Sequence, residues 1–97
     1  MMKRAIGALA ALGMLAGGAM AAAPTAEQKA DFRKTCMGIA SDEALCSCKA
    51  DAAMTLIDAE FMAVVIASMK GKSPPADKYA AYNTYVAKSN QICKPNY

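Results

Sequence analysis

The 97-residue sequence contains no histidine and no tryptophan, and no glycine-rich phosphate-binding loop is present. Without a histidine, none of the serines has the usual general base that activates a nucleophilic hydroxyl. Histidine is also the commonest metal-binding side chain, so its absence argues against a metal site. The sequence therefore predicts a protein that is not an enzyme and that needs no metal or other cofactor.

Basic residues are few and are dispersed among acidic ones. Lys3 and Arg4 belong to the N-terminal segment. Without that segment, nine basic residues remain against eight acidic ones, so the net charge falls from +3 to about +1. Nucleic-acid binders carry a basic stripe that replaces counterions along the phosphate backbone. We therefore expect no nucleic-acid partner.

The N-terminal segment has the pattern of a secretory signal. Lys3 and Arg4 precede an uncharged run over residues 5–25 that is rich in alanine, leucine and glycine, and Ala19 and Ala21 occupy the two positions that signal peptidase reads. We predict a signal peptide over residues 1–21 and a single mature domain over residues 22–97.

Two alternatives to this processing were weighed. Cleavage after Ala23 is disfavoured because Pro24 would follow the cut. Retention of the segment as a membrane anchor is disfavoured because its glycines dilute the apolar transfer energy and no aromatic residues flank it. We expect a periplasmic or secreted protein with no stable membrane anchor after processing.

Four cysteines, Cys36, Cys46, Cys48 and Cys93, fall in the predicted mature domain. A small domain in an oxidising compartment commonly depends on disulfides, and four cysteines allow three pairings. A bridge between Cys46 and Cys48 is excluded on a helix, where side chains two positions apart point about 200° apart. The two remaining pairings close loops of nearly equal length, so chain entropy does not choose between them.

The pattern of apolar residues predicts an all-α fold, a small disulfide-stapled bundle of four short helices. The first helix begins after Thr25, which forms a capping box with Gln28, and ends near Gly38; the second follows Ser41 as its N-cap and reaches about Ile57. The third is predicted over residues 59–70 and the fourth from about 75 or 76 to 92. Because the third is apolar almost all round, we expect the other helices to cover it.

Helix geometry favours one disulfide pairing. A connection of about three residues makes the first two helices an antiparallel hairpin, in which Cys36 lies level with Cys46. We therefore favour Cys36–Cys46 with Cys48–Cys93, and Cys36–Cys48 with Cys46–Cys93 remains the alternative.

Other chemistry was considered for the sulfur-containing residues. The Cys46-Ser47-Cys48 motif resembles the C-x-C of some thiol-exchange catalysts, and four thiolates or the methionines Met37, Met54, Met62 and Met69 are the donors that thiophilic metals prefer. Structural disulfides account for the cysteines more simply, since each has a partner. Core packing accounts for the methionines.

The last helix carries the candidate binding residues. Tyr79, Tyr82 and Tyr85 concentrate there, and tyrosine is favoured at protein interfaces because it offers apolar area, a polar tip and little rotamer entropy. Tyr79 and Tyr82 also suit a core position, which makes Tyr85 the best candidate for exposure. Lys78 adds a positive charge beside them.

Two functions remain. The first is a non-catalytic interaction protein, such as an inhibitor, an immunity factor or a small chaperone, whose partner is another exported protein. The second is a carrier of a small apolar ligand held between helices. The C-x-C motif in a stapled helical fold resembles plant lipid-transfer proteins, but their adjacent Cys-Cys pair is absent. A cavity distinguishes the two functions, and a short alanine-rich chain is expected to pack without one.

Overall fold

The computed structural model describes residues 21–94, and within them the fold is all-α, as predicted. The helices are α1 (Ala26–Ala40), α2 (Glu43–Leu56), α3 (Ala59–Met69) and α4 (Tyr79–Ile92), with a 3-10 turn at Ala76–Lys78 before α4. Except for Ala21, the predicted signal peptide lies outside the described residues, as do the last three residues of the predicted mature domain.

Side-chain caps define where α1 and α3 begin. The amide of Gln28 donates to Thr25 Oγ1 and the amide of Thr25 donates to Gln28 Oε1, both at 3.0 Å, which confirms the predicted capping box. Asp58 caps α3 by accepting from the Phe61 amide at 2.7 Å. Each cap satisfies amides that have no partner inside the helix.

The connection between α1 and α2 differs from the prediction. α1 continues past Gly38 to Ala40, and Ser41 is not the N-cap of α2. Ser41 instead ends α1 in the left-handed conformation, with φ 54°, and its amide donates to the Met37 carbonyl at 3.1 Å. Asp42 takes the N-cap position by accepting from the Leu45 amide at 3.0 Å.

Two disulfides staple the bundle, in the pairing that the hairpin geometry favours. Cys36 in α1 is bonded to Cys46 in α2, with 5.6 Å between their Cα atoms. Cys48 in α2 is bonded to Cys93 at the end of α4, with 5.8 Å between their Cα atoms. α2 is therefore covalently tied to both α1 and α4, and all four cysteines are in disulfides.

Exposed charges also join the α1–α2 hairpin. Lys29 pairs with Asp51 at 2.7 Å, and Arg33 pairs with Glu43 at 2.6 Å and donates to Ser47 Oγ at 3.1 Å. These side chains are solvent-exposed, so each pair contributes little stability. All of these contacts link α1 to α2.

The core is built from α1, α2 and α3, with Tyr85 of α4 closing it. Met62 and Ala53 are completely buried, and Phe32 and Val65 are nearly so. The expectation that the other helices cover α3 was wrong. α3 packs mainly on α1, Ala63 is exposed and Val64 is half-buried, and α3 approaches α4 closely at few points.

The segment before α1 is held against the start of α3. The Ala59 amide donates to the Ala22 carbonyl at 2.8 Å, and Gln28 Nε2 donates to the Ala59 carbonyl at 2.9 Å. Pro24, between these contacts, is buried. The chain is therefore ordered against the bundle from the second described residue onward.

Among residues 21–94, no helix is long and apolar enough to cross a membrane. The two disulfides are typical of an oxidising compartment outside the cytoplasm.

Candidate functional site

A cleft of about 450 Å³ lies between the four helices, where α3 and α4 stand apart. α1 contributes Phe32, Cys36 and Ile39 to its walls, and α3 contributes Val65 and Met69. The lining is thus predominantly apolar. Ile39 and Ala40 in its wall are exposed, so the cleft is a groove open to solvent and not an enclosed cavity. The expectation that an alanine-rich chain of this size packs without an enclosed cavity stays a prediction.

Contacts between helices identify the two ends of the cleft. At one end, Ser68 Oγ donates to Tyr82 Oη at 3.0 Å, and Lys70 pairs with Asp31 at 3.3 Å, which places Tyr82 near the α1–α3 contact. At the other end, Lys49 of α2 donates to Asn90 of α4. Tyr82 and Ser89 both line the cleft, and at 1.5 Å per residue they are separated along α4 by about 10 Å.

Lys49 is the only charged residue among the described residues that line the cleft. Its ammonium donates to Asn90 Oδ1 and forms no ion pair with any residue in 21–94. Partial burial lowers the pKa of Lys49, because the charged form loses hydration. An ammonium has three donors, so two remain for a ligand after the bond to Asn90.

Ser89 adds a buried hydroxyl to the same end of the cleft. It is 1% exposed, and its Oγ has no hydrogen-bond partner in the described part of the chain. The hydroxyl is near enough to the Tyr85 phenol to affect its pKa, but the two groups do not meet hydrogen-bond geometry. An unpaired buried hydroxyl is costly, so Ser89 is a group that a ligand can satisfy.

Burial raises the pKa of Tyr85 to about 12 from 10.0; Ser89 offsets part of the rise and Tyr82 adds to it. In the unfolded chain this phenol ionises near its ordinary pKa, whereas the folded protein keeps it protonated to higher pH. The unfolded state therefore binds fewer protons between pH 10 and 12, and stability falls as pH rises through that window. We expect a loss of roughly 2 to 3 kcal/mol.

Denaturant titrations of the wild type and Tyr85→Phe across this range test that loss. The Phe variant lacks the ionisable group, so its stability should fall less steeply with pH. Equal slopes for the two proteins would contradict the burial of the phenol.

The predicted exposure of the tyrosines is reversed in the structure. Tyr85 is 6% exposed and belongs to the core, whereas Tyr79 is 51% exposed at the start of α4. Tyr82 is half-buried in the cleft wall, and Lys78 is half-buried in the turn before α4. α4 presents Tyr85, Ser89 and Cys93 inward, at steps of four residues, because the Cys48–Cys93 bridge sets its rotation.

Sequence reasoning missed Lys49 and Ser89 as site residues. Ser89 could have been found from the sequence. It lies one helical turn before Cys93, and because a disulfide turns Cys93 toward the bundle, Ser89 faces the same way. Lys49 offers no such signal beyond its position next to Cys48. Neither residue belongs to a recognisable motif.

Among residues 21–94, no group of three or more histidine, cysteine or carboxylate side chains is arranged to hold a metal ion. All four cysteines are consumed by the two disulfides. The arrangement of the cleft is suited to non-covalent binding: an apolar chamber with one ammonium and one unpaired hydroxyl at the same end.

No protein family, no curated protein and no solved structure matches this chain.

Proposed function

We propose that the protein is an exported carrier that holds a small, largely apolar molecule between its helices. The observation that supports this proposal is the apolar cleft of about 450 Å³ between the helices, which opens to solvent beside Ile39 and Ala40. Its volume falls in the range of small-molecule sites, and its apolar walls with few polar groups are typical of them. The cleft reverses the order in which the sequence ranks the two functions.

The volume limits the size of the cargo. If each non-hydrogen atom of a flexible chain takes about the 30 Å³ that a water molecule occupies in the liquid, the cleft holds about 15 such atoms. A medium-length acyl chain fits this limit. The distance of about 10 Å along α4 between Tyr82 and Ser89 agrees with a partly folded chain of that size.

A filled cleft should abolish binding. Ala40 lies on the cleft wall at the end of α1, whereas Ala87 is exposed on α4 and lies outside the cleft. We expect Ala40→Trp to remove binding of a neutral apolar fluorescent probe, since the indole occupies the chamber, and Ala87→Trp to bind the probe as the wild type does. Fluorescence titration of the three proteins measures this.

The protein purified from the export compartment provides a second measurement, in which solvent extracts and co-purifying proteins are analysed by mass spectrometry. One equivalent of a small apolar molecule supports the carrier. Equal probe binding by wild type and Ala40→Trp would overturn it.

Recognition of another exported protein is the second candidate. Tyr79, 51% exposed, and Ile92, 55% exposed, give α4 large apolar side chains on its outer surface. Lys78 lies next to Tyr79 and supplies the positive charge expected there. A stoichiometric protein recovered without any small molecule, in the same mass-spectrometric measurement, would favour this function over the carrier.

A further inference from the structure

We infer that the cargo is an anionic amphiphile, a carboxylate with an acyl tail, whose head group binds at Lys49 and Ser89. This inference rests on the proposed carrier function and assigns the chemical class of its ligand. It is drawn from the polar groups at one end of the cleft and from the lack, among residues 21–94, of a carboxylate that pairs with Lys49 there.

The charge of the cleft favours an anion. Lys49 lines the cleft as its only charged residue, and no carboxylate among residues 21–94 pairs with it. A carboxylate placed beside the ammonium supplies the missing counter-charge, and the two remaining ammonium donors match its acceptor oxygens. Binding of an anion also opposes the desolvation that lowers the pKa of Lys49.

Ser89 provides a second, independent indication. Ser89 is 1% exposed, and its hydroxyl has no hydrogen-bond partner among residues 21–94, although the residue lines the cleft. Asn90, which follows it in α4, is the residue that Lys49 reaches, so the ammonium and the hydroxyl lie at the same end of the chamber. A head-group oxygen there accepts from the Lys49 ammonium, and a rotation of the Ser89 side chain, whose oxygen has almost no accessible surface, would bring the hydroxyl to the head group and remove the cost of leaving it unpaired.

The remaining walls suit the tail. Phe32, Val65 and Met69 provide apolar surface toward the end marked by Tyr82, whose hydroxyl accepts a hydrogen bond from Ser68. A ligand with a polar group at both ends would leave one of them against these apolar walls. The chamber therefore fits one charged head and one hydrocarbon tail.

Binding of dodecanoate and dodecanol, compared by displacement of the neutral probe, tests the inference. The two ligands share the same tail, which fits the limit of about 15 atoms. We expect dodecanoate to bind the wild type about tenfold more tightly, as a charge-assisted hydrogen bond allows. Lys49→Met should abolish this preference and leave the affinity for dodecanol unchanged. Lys88→Met, which removes an exposed charge outside the cleft, should retain the preference.

Ser89→Ala distinguishes a role of Ser89 in ligand binding from a role in stability. The substitution removes a buried hydroxyl that has no partner in the described part of the chain, so the unfolding transition should stay at the same denaturant concentration or move to a higher one. Dodecanoate binding should nevertheless weaken by about fivefold. A variant that loses stability and retains dodecanoate affinity would show that Ser89 has a structural role only and would overturn its assignment.

The failures of the two proposals are distinguishable. Equal affinity for dodecanoate and dodecanol, unaffected by Lys49→Met, would overturn the anionic head group and leave the carrier intact. If the neutral probe, dodecanoate and dodecanol all fail to bind, both proposals are overturned.

Discussion

Removing the Cys48–Cys93 bridge by the double substitution Cys48→Ala/Cys93→Ala lowers the free energy of unfolding by about 4 kcal/mol. The bridge closes a loop with a sequence separation of 45, and its loss restores the corresponding freedom to the unfolded chain. A domain of this size has a total stability of only about 5 to 10 kcal/mol, so much of it depends on this one bond. Urea denaturation of both proteins under oxidising conditions measures the difference.

The other bridge provides the control. Cys36→Ala/Cys46→Ala opens a loop with a sequence separation of 10, for which chain entropy gives about 3 kcal/mol. The cleft separates the two variants further. Because α4 packs mainly on α2, freeing Cys93 lets α4 move away from the chamber, so loss of the long-range bridge should also weaken ligand binding. A larger destabilisation from the short-loop variant would contradict this account.

Met62→Ala is expected to lower the free energy of unfolding by about 2 to 5 kcal/mol. The side chain is 0% exposed in α3 and does not line the cleft, so truncation leaves a cavity in the core. Its loss is therefore a packing effect that is separate from ligand binding. Chemical denaturation measures the destabilisation, and probe titration of the folded variant should give the wild-type affinity.

Two further methionine variants bracket this expectation. Met62→Leu conserves most of the volume and should cost less than about 1.5 kcal/mol. Met54→Ala removes a side chain that is only partly buried against the core, so its cost should be smaller than that of Met62→Ala. Equal losses at positions 54 and 62 would show that α3 is less tightly packed than its burial indicates.

The helices and the disulfides were predictable because local chemistry determines them. Thr25 with Gln28 and Asp58 are caps that act within one turn, and a short α1–α2 connection brings Cys36 level with Cys46 in preference to Cys48. Ser41 was assigned to the wrong helix because a short polar residue suits both a helix start and a left-handed helix end. Asp42, immediately after it, has the same capping ability.

The candidate site was not predictable in the same way. Whether Tyr85 or Tyr79 turns inward depends on the rotation of α4, and the Cys48–Cys93 bridge sets that rotation from 45 residues away. The cleft depends on how far α3 and α4 stand apart, which is decided by tertiary packing and leaves no periodic pattern in the sequence. Lys49 and Ser89 become a site only once those two helices are placed.

Because the Ala59 amide donates to the Ala22 carbonyl, the stability of the protein depends on whether exopeptidases have removed the first residues of the mature chain. A chain that begins at Ala22 retains the acceptor, whereas a chain shortened by two residues begins at Pro24 and leaves the first amide of α3 without it. The loss is worth about 1 kcal/mol. Preparations with ragged ends will therefore show broadened melting transitions, and an intact mass should accompany each stability measurement.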